Sequence, residues 1–133
     1  MQQVSKNFLK DSHFITNLKL CNIRLIDNSK FPWIILIPKR KNITDIYQLK
    51  KKDQNLLIAE ITYASKIMKK TFKAFNLNVE KIGNVVSQLH IHIIARKKND
   101  SSWPLSVWVV KKVAYPKKLL NKIIIKLQKK FKV

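Results

Sequence analysis

The chain holds one cysteine, one glycine, three histidines, three arginines and only seven acidic residues among its 133. With Cys21 alone there can be no internal disulfide and no multi-cysteine zinc site. Uninterrupted apolar runs are short, Trp33 to Ile37 being typical, against the roughly 20 residues that span a bilayer. The opening MQQVSKNFLKDSHF lacks the apolar core of a secretory signal. A single glycine, Gly83, leaves most left-handed backbone positions to other residues, and the eleven asparagines are the natural substitutes. Apolar residues nevertheless make up 46% of the chain, too many for a disordered one. The expectation is a soluble, cytoplasmic, single-domain protein over residues 1–133, without a membrane partner.

What is abundant is lysine. Twenty-eight basic against seven acidic residues give a formal charge of +21, which first suggests nucleic acid or an anionic surface. Yet 25 of the 28 are lysine, and isoleucine (18) and asparagine (11) are inflated as well. A+T-rich codons specify all three, so a biased genome accounts for them without selection for binding. Readers of phosphate and base edges favour the bidentate fork of arginine, which is scarce here. The basic residues are also spread along the chain rather than gathered in one arm. A specific nucleic-acid partner is therefore not expected.

Periodicity supplies the elements. Segment 22–27, NIRLID, alternates like a strand, DNSKFP reads as a turn, and WIILIP (33–38) as a buried strand ended by Pro38. From Thr44 the pattern turns helical. Asp53 is a candidate cap for a helix with an apolar stripe of Leu57, Ile61, Ala64, Ile67, Met68 and Phe72. LHIHIIA (89–95) is short, alternating and β-branched, hence a strand, and VWVV (107–110) is a further strand candidate. The tail sets Leu120, Ile123, Ile124, Leu127 and Phe131 on one face of a basic amphipathic helix over 117–132. Strands and helices in this order predict an α+β domain.

Two of the three histidines, His90 and His92, stand two apart on a predicted strand, so both imidazoles project from one face. Gln88 precedes them on that face, and Ile94 and Arg96 follow. Two near-neutral imidazoles in one space suit nucleophilic or acid–base chemistry. Spacing alone also allows two core histidines bonded to backbone carbonyls. It further allows the start of a metal site, for which His13, Glu60, Glu80, an aspartate or Cys21 would have to supply a third ligand.

The stretch QLHIHIIAR, preceded by IGNVVS and followed by KKNDSSWP, resembles the histidine triad (HIT) hydrolases and transferases, whose signature is His-x-His-x-His with apolar x. Aligned through Arg96, His90 takes the middle histidine and His92 the last, while Gln88 replaces the first. A bacterial branch carries this Q-L-H-x-H form, often with a Trp-Pro after it, and Trp103-Pro104 fits. FPWIILIPKR is similar to the family's strand ending in Ile-Pro-Lys, and Thr44, Asp45 and Leu49 follow as its next motif does. The likeness covers about residues 20–108.

The resemblance implies an antiparallel sheet of about five strands with one long, one short and one C-terminal helix, usually in a homodimer. It implies hydrolysis or transfer at the α-phosphate of a purine nucleotide, either a phosphoramidate or a dinucleoside polyphosphate, with no cofactor and no metal. His90 would be the nucleophile, forming a nucleotidyl-histidine that water cleaves, and His92 would contact the phosphate. The backbone carbonyl at Gln88 would orient the nucleophile, a role that survives the change of side chain. Asp27 or Asn28 falls where the family binds ribose, Asn78 near a residue that reaches the phosphate, and Gly83 and Asn84 on the Gly-polar pair before the catalytic strand. Gln88 and Trp33 both stand where many relatives carry histidines that contact each other, and Ser87 stands where this branch usually has proline. Gln88 cannot titrate, so a proton relay could run only through His92 or water. Trp33 could stack on a base or fill core. A nucleotide-binding protein without turnover, and a basic nucleic-acid module, are the competing readings. A steep salt dependence of affinity would mark the latter.

Overall fold

The computed structural model describes residues 4–132. A short helix α1 (Lys6–Asp11) leads into β1 (Ser12–Asn17), β2 (Cys21–Ile26) and β3 (Trp33–Pro38). The long helix α2 (Lys51–Thr71) crosses to β4 (Asn76–Lys81), β5 (Ile91–Arg96) returns, and α3 (Lys117–Lys130) ends the described chain. The five strands form one antiparallel sheet in the order β1-β2-β3-β5-β4. Three helices on this sheet make the α+β architecture that the resemblance implies.

Strand alternation divides the molecule into two faces. Ile23, Leu25, Ile34, Leu36, Ile91, Ile93 and Ala95 point to one side and pack with Leu57, Ala64 and Met68 of α2 and Leu127 and Phe131 of the C-terminal segment. This is the main core, and the helical stripes read from the sequence face it. Ile61, Ile67 and Phe72 lie at its margin. Glu60, also buried on α2, accepts the backbone N–H groups of Leu20 and Cys21 at 2.9 Å each, which ties the helix to the start of β2.

The other face carries the complementary set. Trp33 packs with Phe31, Ile94 and Val107, and Ile35 and Ile37 pack with Phe8 of α1. His90 lies just before β5 and His92 on it, and both project to this second face. Arg96 closes the same row, only 1% exposed. Its guanidinium donates to both carboxylate oxygens of Asp100 (2.8 and 3.0 Å), to Asn78, to Ser102 and to the carbonyl of Leu105. It lies between the rings of Phe31 and Trp103, 5.4 Å from each. Burial alone would raise the Asp100 carboxyl; hydrogen bonds from Arg96 and from the N–H groups of Lys97, Ser102 and Trp103 outweigh it and hold the group at about 2.

Three expectations are corrected. Asp53 is not the cap of α2, which starts at Lys51 after Lys50; Asp53 sits in the first turn, where it favours the helix dipole and holds Arg40 at 2.7 Å. VWVV is no strand. Ser106 accepts the N–H of Trp108 and winds Val107–Val109 into a 3-10 turn. The strand read from LHIHIIA, β5, begins at Ile91 rather than Leu89, because the chain over 88–90 is out of the ladder.

Candidate active site

A mostly apolar cavity of about 280 Å³ opens on the second face of the sheet, and His90 and His92 stand at its floor. Both are nearly buried, at 6% and 4% exposure, with ring centroids 4.8 Å apart. Their hydrogen bonds fix which nitrogen of each carries the proton. His90 Nδ1 lies 2.7 Å from the Gln88 carbonyl. A carbonyl can only accept, so Nδ1 holds the proton and Nε2 is left with a free lone pair. His92 Nδ1 lies 2.9 Å from Trp33 Nε1. An indole N–H can only donate, so here Nδ1 accepts and the proton is on Nε2. One imidazole thus presents a nucleophile and the other a hydrogen-bond donor.

Electrostatics favour the same state. Burial lowers the His90 pKa below its ordinary value, and Lys81 adds to the lowering against the opposing hydrogen bond to Gln88. His92 is pushed down to about 3 by burial and by its neighbour His90. Both rings are neutral at pH 7.

Register explains why Trp33 reaches His92. Ile35 is the direct partner of His92 and Trp33 that of Ile94, so Trp33 is a diagonal neighbour on the same face. Trp33 is therefore both core, at 5% exposure, and part of the cavity wall. Trp108 stands edge-on to it at 5.0 Å and to His92 at 5.3 Å, and its own indole N–H is held by Glu80 at 2.9 Å.

The other sequence-derived candidates separate into two groups. Asn28, Gly83 and Asn84 line the cavity with the histidines. Gly83 has φ of +77°. A Cβ there would meet nothing closer than 3.6 Å, so glycine answers the backbone conformation, not a lack of space. Asp27 and Asn78 lie outside the cavity lining. The Asp27 carboxylate accepts the N–H of Tyr115 at 2.9 Å and sits 3.4 Å from His13, while Asn78 Oδ1 is held by Arg96 at 2.7 Å. Gln88 contributes its carbonyl to His90, and its side-chain oxygen accepts the N–H of Ser5 at 2.9 Å. Among the described residues no three His, Cys, Asp or Glu side chains gather closely enough to hold a metal ion.

Four residues escaped the sequence reading. Phe8 of α1 meets the His90 ring edge-on at 4.7 Å, Trp108 roofs His92, and Asp11 and Lys112 pair at 3.0 Å on the rim. Ser5 before α1 and Ser106 before the 3-10 turn were the available signals, since each caps its turn through its hydroxyl.

An antiparallel five-stranded sheet with a histidine pair at the start of its inner strand β5 defines an α+β class, and comparison with known proteins identifies it. The HIT domain model matches residues 7–99. The chain is similar to the crystal structures of histidine triad proteins from Bradyrhizobium japonicum (32% identity, TM-score 0.95, 98% of each chain) and Marinobacter aquaeolei (33%, 0.94, 98% of this chain and 96% of that one). A histidine triad protein from Sinorhizobium meliloti is 30% identical, with TM-score 0.94 over 98% and 97% of the two chains. No curated protein matches. The chain belongs to the HIT family, a family of nucleotide-binding proteins, hydrolases and transferases. Among the described residues no helix is long and apolar enough to cross a membrane.

Proposed function

We propose that this protein is a nucleotide hydrolase or transferase that works at the α-phosphate of a purine nucleotide through a nucleotidyl-His90 intermediate. One observation carries the reading: the Gln88 carbonyl holds the Nδ1 proton of His90, so its Nε2 lone pair is free at the floor of the cavity. In the first step Nε2 attacks the α-phosphorus, a P–N bond forms, and the bond to the leaving group breaks with its electron pair. Water then attacks phosphorus, the P–N bond breaks with its pair returning to Nε2, and the water's proton is released to solvent, which divides one hard displacement into two easier ones. His92 Nε2–H donates to a non-bridging oxygen as charge develops there. Gly83 and Asn84 border the phosphate, Asn28 the ribose, and the apolar wall of Trp33, Trp108 and Val107 suits a purine. Asp27 and Asn78 then act indirectly, Asp27 by anchoring the segment before α3 and Asn78 by seating Arg96.

Rapid alkaline quenching during turnover of diadenosine tetraphosphate, followed by mass spectrometry of the peptide containing His90, tests this. An adenylyl group on His90 is the expected result. Steady turnover with no adduct, or an adduct on another residue, would overturn it.

The same reading extends to assembly as a homodimer. Among the described residues β4 pairs only with β5, which leaves its outer edge unpaired by them, and Phe75 and Val79 are 55% and 48% exposed. Light scattering should return twice the chain mass of 15.7 kDa; a monomer at micromolar concentration would count against it.

A further inference from the structure

We propose that the outer face of α3 docks on an anionic phospholipid surface, as a peripheral contact that needs no membrane-crossing helix. The contact is independent of the reaction at His90.

All seven acidic residues lie within the first 100 positions, whereas nine lysines follow Asp100. Codon bias accounts for the number of lysines in the chain, not for their placement. Helical spacing sets Lys118, Lys122, Lys126 and Lys129 in one row about 17 Å long. All four are exposed, and among the described residues none is paired with a carboxylate. Like charges three and four residues apart repel along a helix, a cost that an anionic plane removes. Leu119 and Ile125 flank the row, 43% and 52% exposed. The opposite stripe of the helix is already occupied, because Leu120, Ile123, Ile124, Leu127 and Phe131 pack into the main core. What faces outward is a row of ammonium groups between two aliphatic side chains.

This chemistry favours lipid headgroups over nucleic acid. Single strands are held by aromatic rings that stack on bases, and phosphates are forked by arginine; α3 contains neither residue type. Leu119 and Ile125 instead suit the apolar boundary beneath the headgroups, while the lysine stems extend to the phosphates as point charges. Four or more lysines on an amphipathic helix suffice for such a surface.

The position of α3 agrees. It packs on β1, the sheet edge remote from β4, with Gln128 donating to the Ile15 carbonyl at 3.3 Å. The homodimer proposed through β4 therefore leaves this face uncovered. The cavity lies on the other side of the sheet and stays open to solvent during docking. The overall composition argues for no membrane partner; the uncovered lysine row is a property of the fold.

Co-sedimentation tests the proposal, with vesicles of phosphatidylcholine alone and of phosphatidylcholine mixed with phosphatidylglycerol. Salt is held at about 100 mM, where charges are screened beyond about 10 Å. The mixed vesicles should bind roughly 10²-fold more tightly. A Lys118→Gln/Lys122→Gln/Lys126→Gln/Lys129→Gln variant should lose most of that preference, and glutamine preserves helix propensity. A Lys6→Gln/Lys10→Gln/Lys97→Gln/Lys98→Gln variant lowers the formal charge of +21 by the same four from exposed positions outside α3. It should lose less than about threefold. Leu119→Ser/Ile125→Ser should weaken binding about tenfold at unchanged charge. Circular dichroism verifies that each variant is folded. Equal losses in the two lysine variants would reduce the effect to net charge and overturn the proposal. No preference for phosphatidylglycerol, or tighter binding of single-stranded RNA than of vesicles through the same four lysines, would overturn it as well.

Discussion

His90→Ala will lower turnover of a dinucleoside polyphosphate by roughly 10⁴-fold or more, because the other imidazole, His92, has its Nδ1 lone pair taken by the Trp33 indole, while AMP affinity changes by less than about tenfold. The ring contributes little surface for the base or ribose, so loss of kcat without loss of binding is the signature of a nucleophile. Isothermal titration with AMP and chromatographic product analysis measure the two quantities separately. A variant that retained even a tenth of the activity would remove His90 from the reaction. The unaltered protein adds a check through pH. Protonated His90 has no lone pair, and burial places its pKa below the ordinary 6.5. Activity should therefore hold as pH falls through 6.5 and decline only below it. The stability sign is consistent: below 6.5 the unfolded chain binds protons that buried His90 and His92 refuse, so the folded state loses stability as pH falls.

Arg96→Ala should destabilise the protein by about 3–5 kcal/mol, the range for breaking one side of a buried, hydrogen-bonded ion pair. The side chain is 1% exposed, and its loss leaves the Asp100 carboxylate, 9% exposed, without its charge partner. Asn78, Ser102 and the Leu105 carbonyl lose their donor at the same time, and Phe31 and Trp103 lose the plane between them. Arg96→Lys should recover only a minor part, since one ammonium cannot reproduce a fork that reaches five acceptors. Urea unfolding decides the matter; a cost below about 1 kcal/mol would mean that the network is incidental.

The elements legible in the sequence were those with one face wholly buried. β2, β3 and β5 have alternating or unbroken apolar runs, and α2 and α3 carry stripes at helical spacing, so each announced itself by its period. β1 and β4 did not. They lie at the sheet edges, where Ser12–Asn17 and Asn76–Lys81 mix exposed and half-buried residues without a clean period. α1 is six residues long, too short for any periodicity. VWVV had the composition of a strand but no ladder to join, and a serine cap decided for a turn.

The candidate site divides along the same line. The histidine pair was visible because residues two apart on a strand share a face whatever the rest of the chain does. The roles of Asp27 and Trp33 were not, because each is set by a partner distant in sequence. Asp27 meets Tyr115, 88 residues on, and Trp33 meets His92, 59 residues on. Tautomers are still less accessible to a sequence: that His90 and His92 hold their protons on opposite nitrogens follows only from which neighbour is a carbonyl and which an indole.

The three arginines add a last point about a chain in which lysine outnumbers them 25 to three. Each is used as a fork. Arg24 bonds the hydroxyl and the carbonyl of Ser12, Arg40 clasps Asp53 through two nitrogens, and Arg96 binds five acceptors. None of them lines the cavity. Where a single point of charge is enough, as at Asp45 or Asp11, the cation is lysine. Rarity in this composition thus works as a marker: the scarce residue types sit where their particular geometry has no substitute, and the common ones fill every place where an approximation will do.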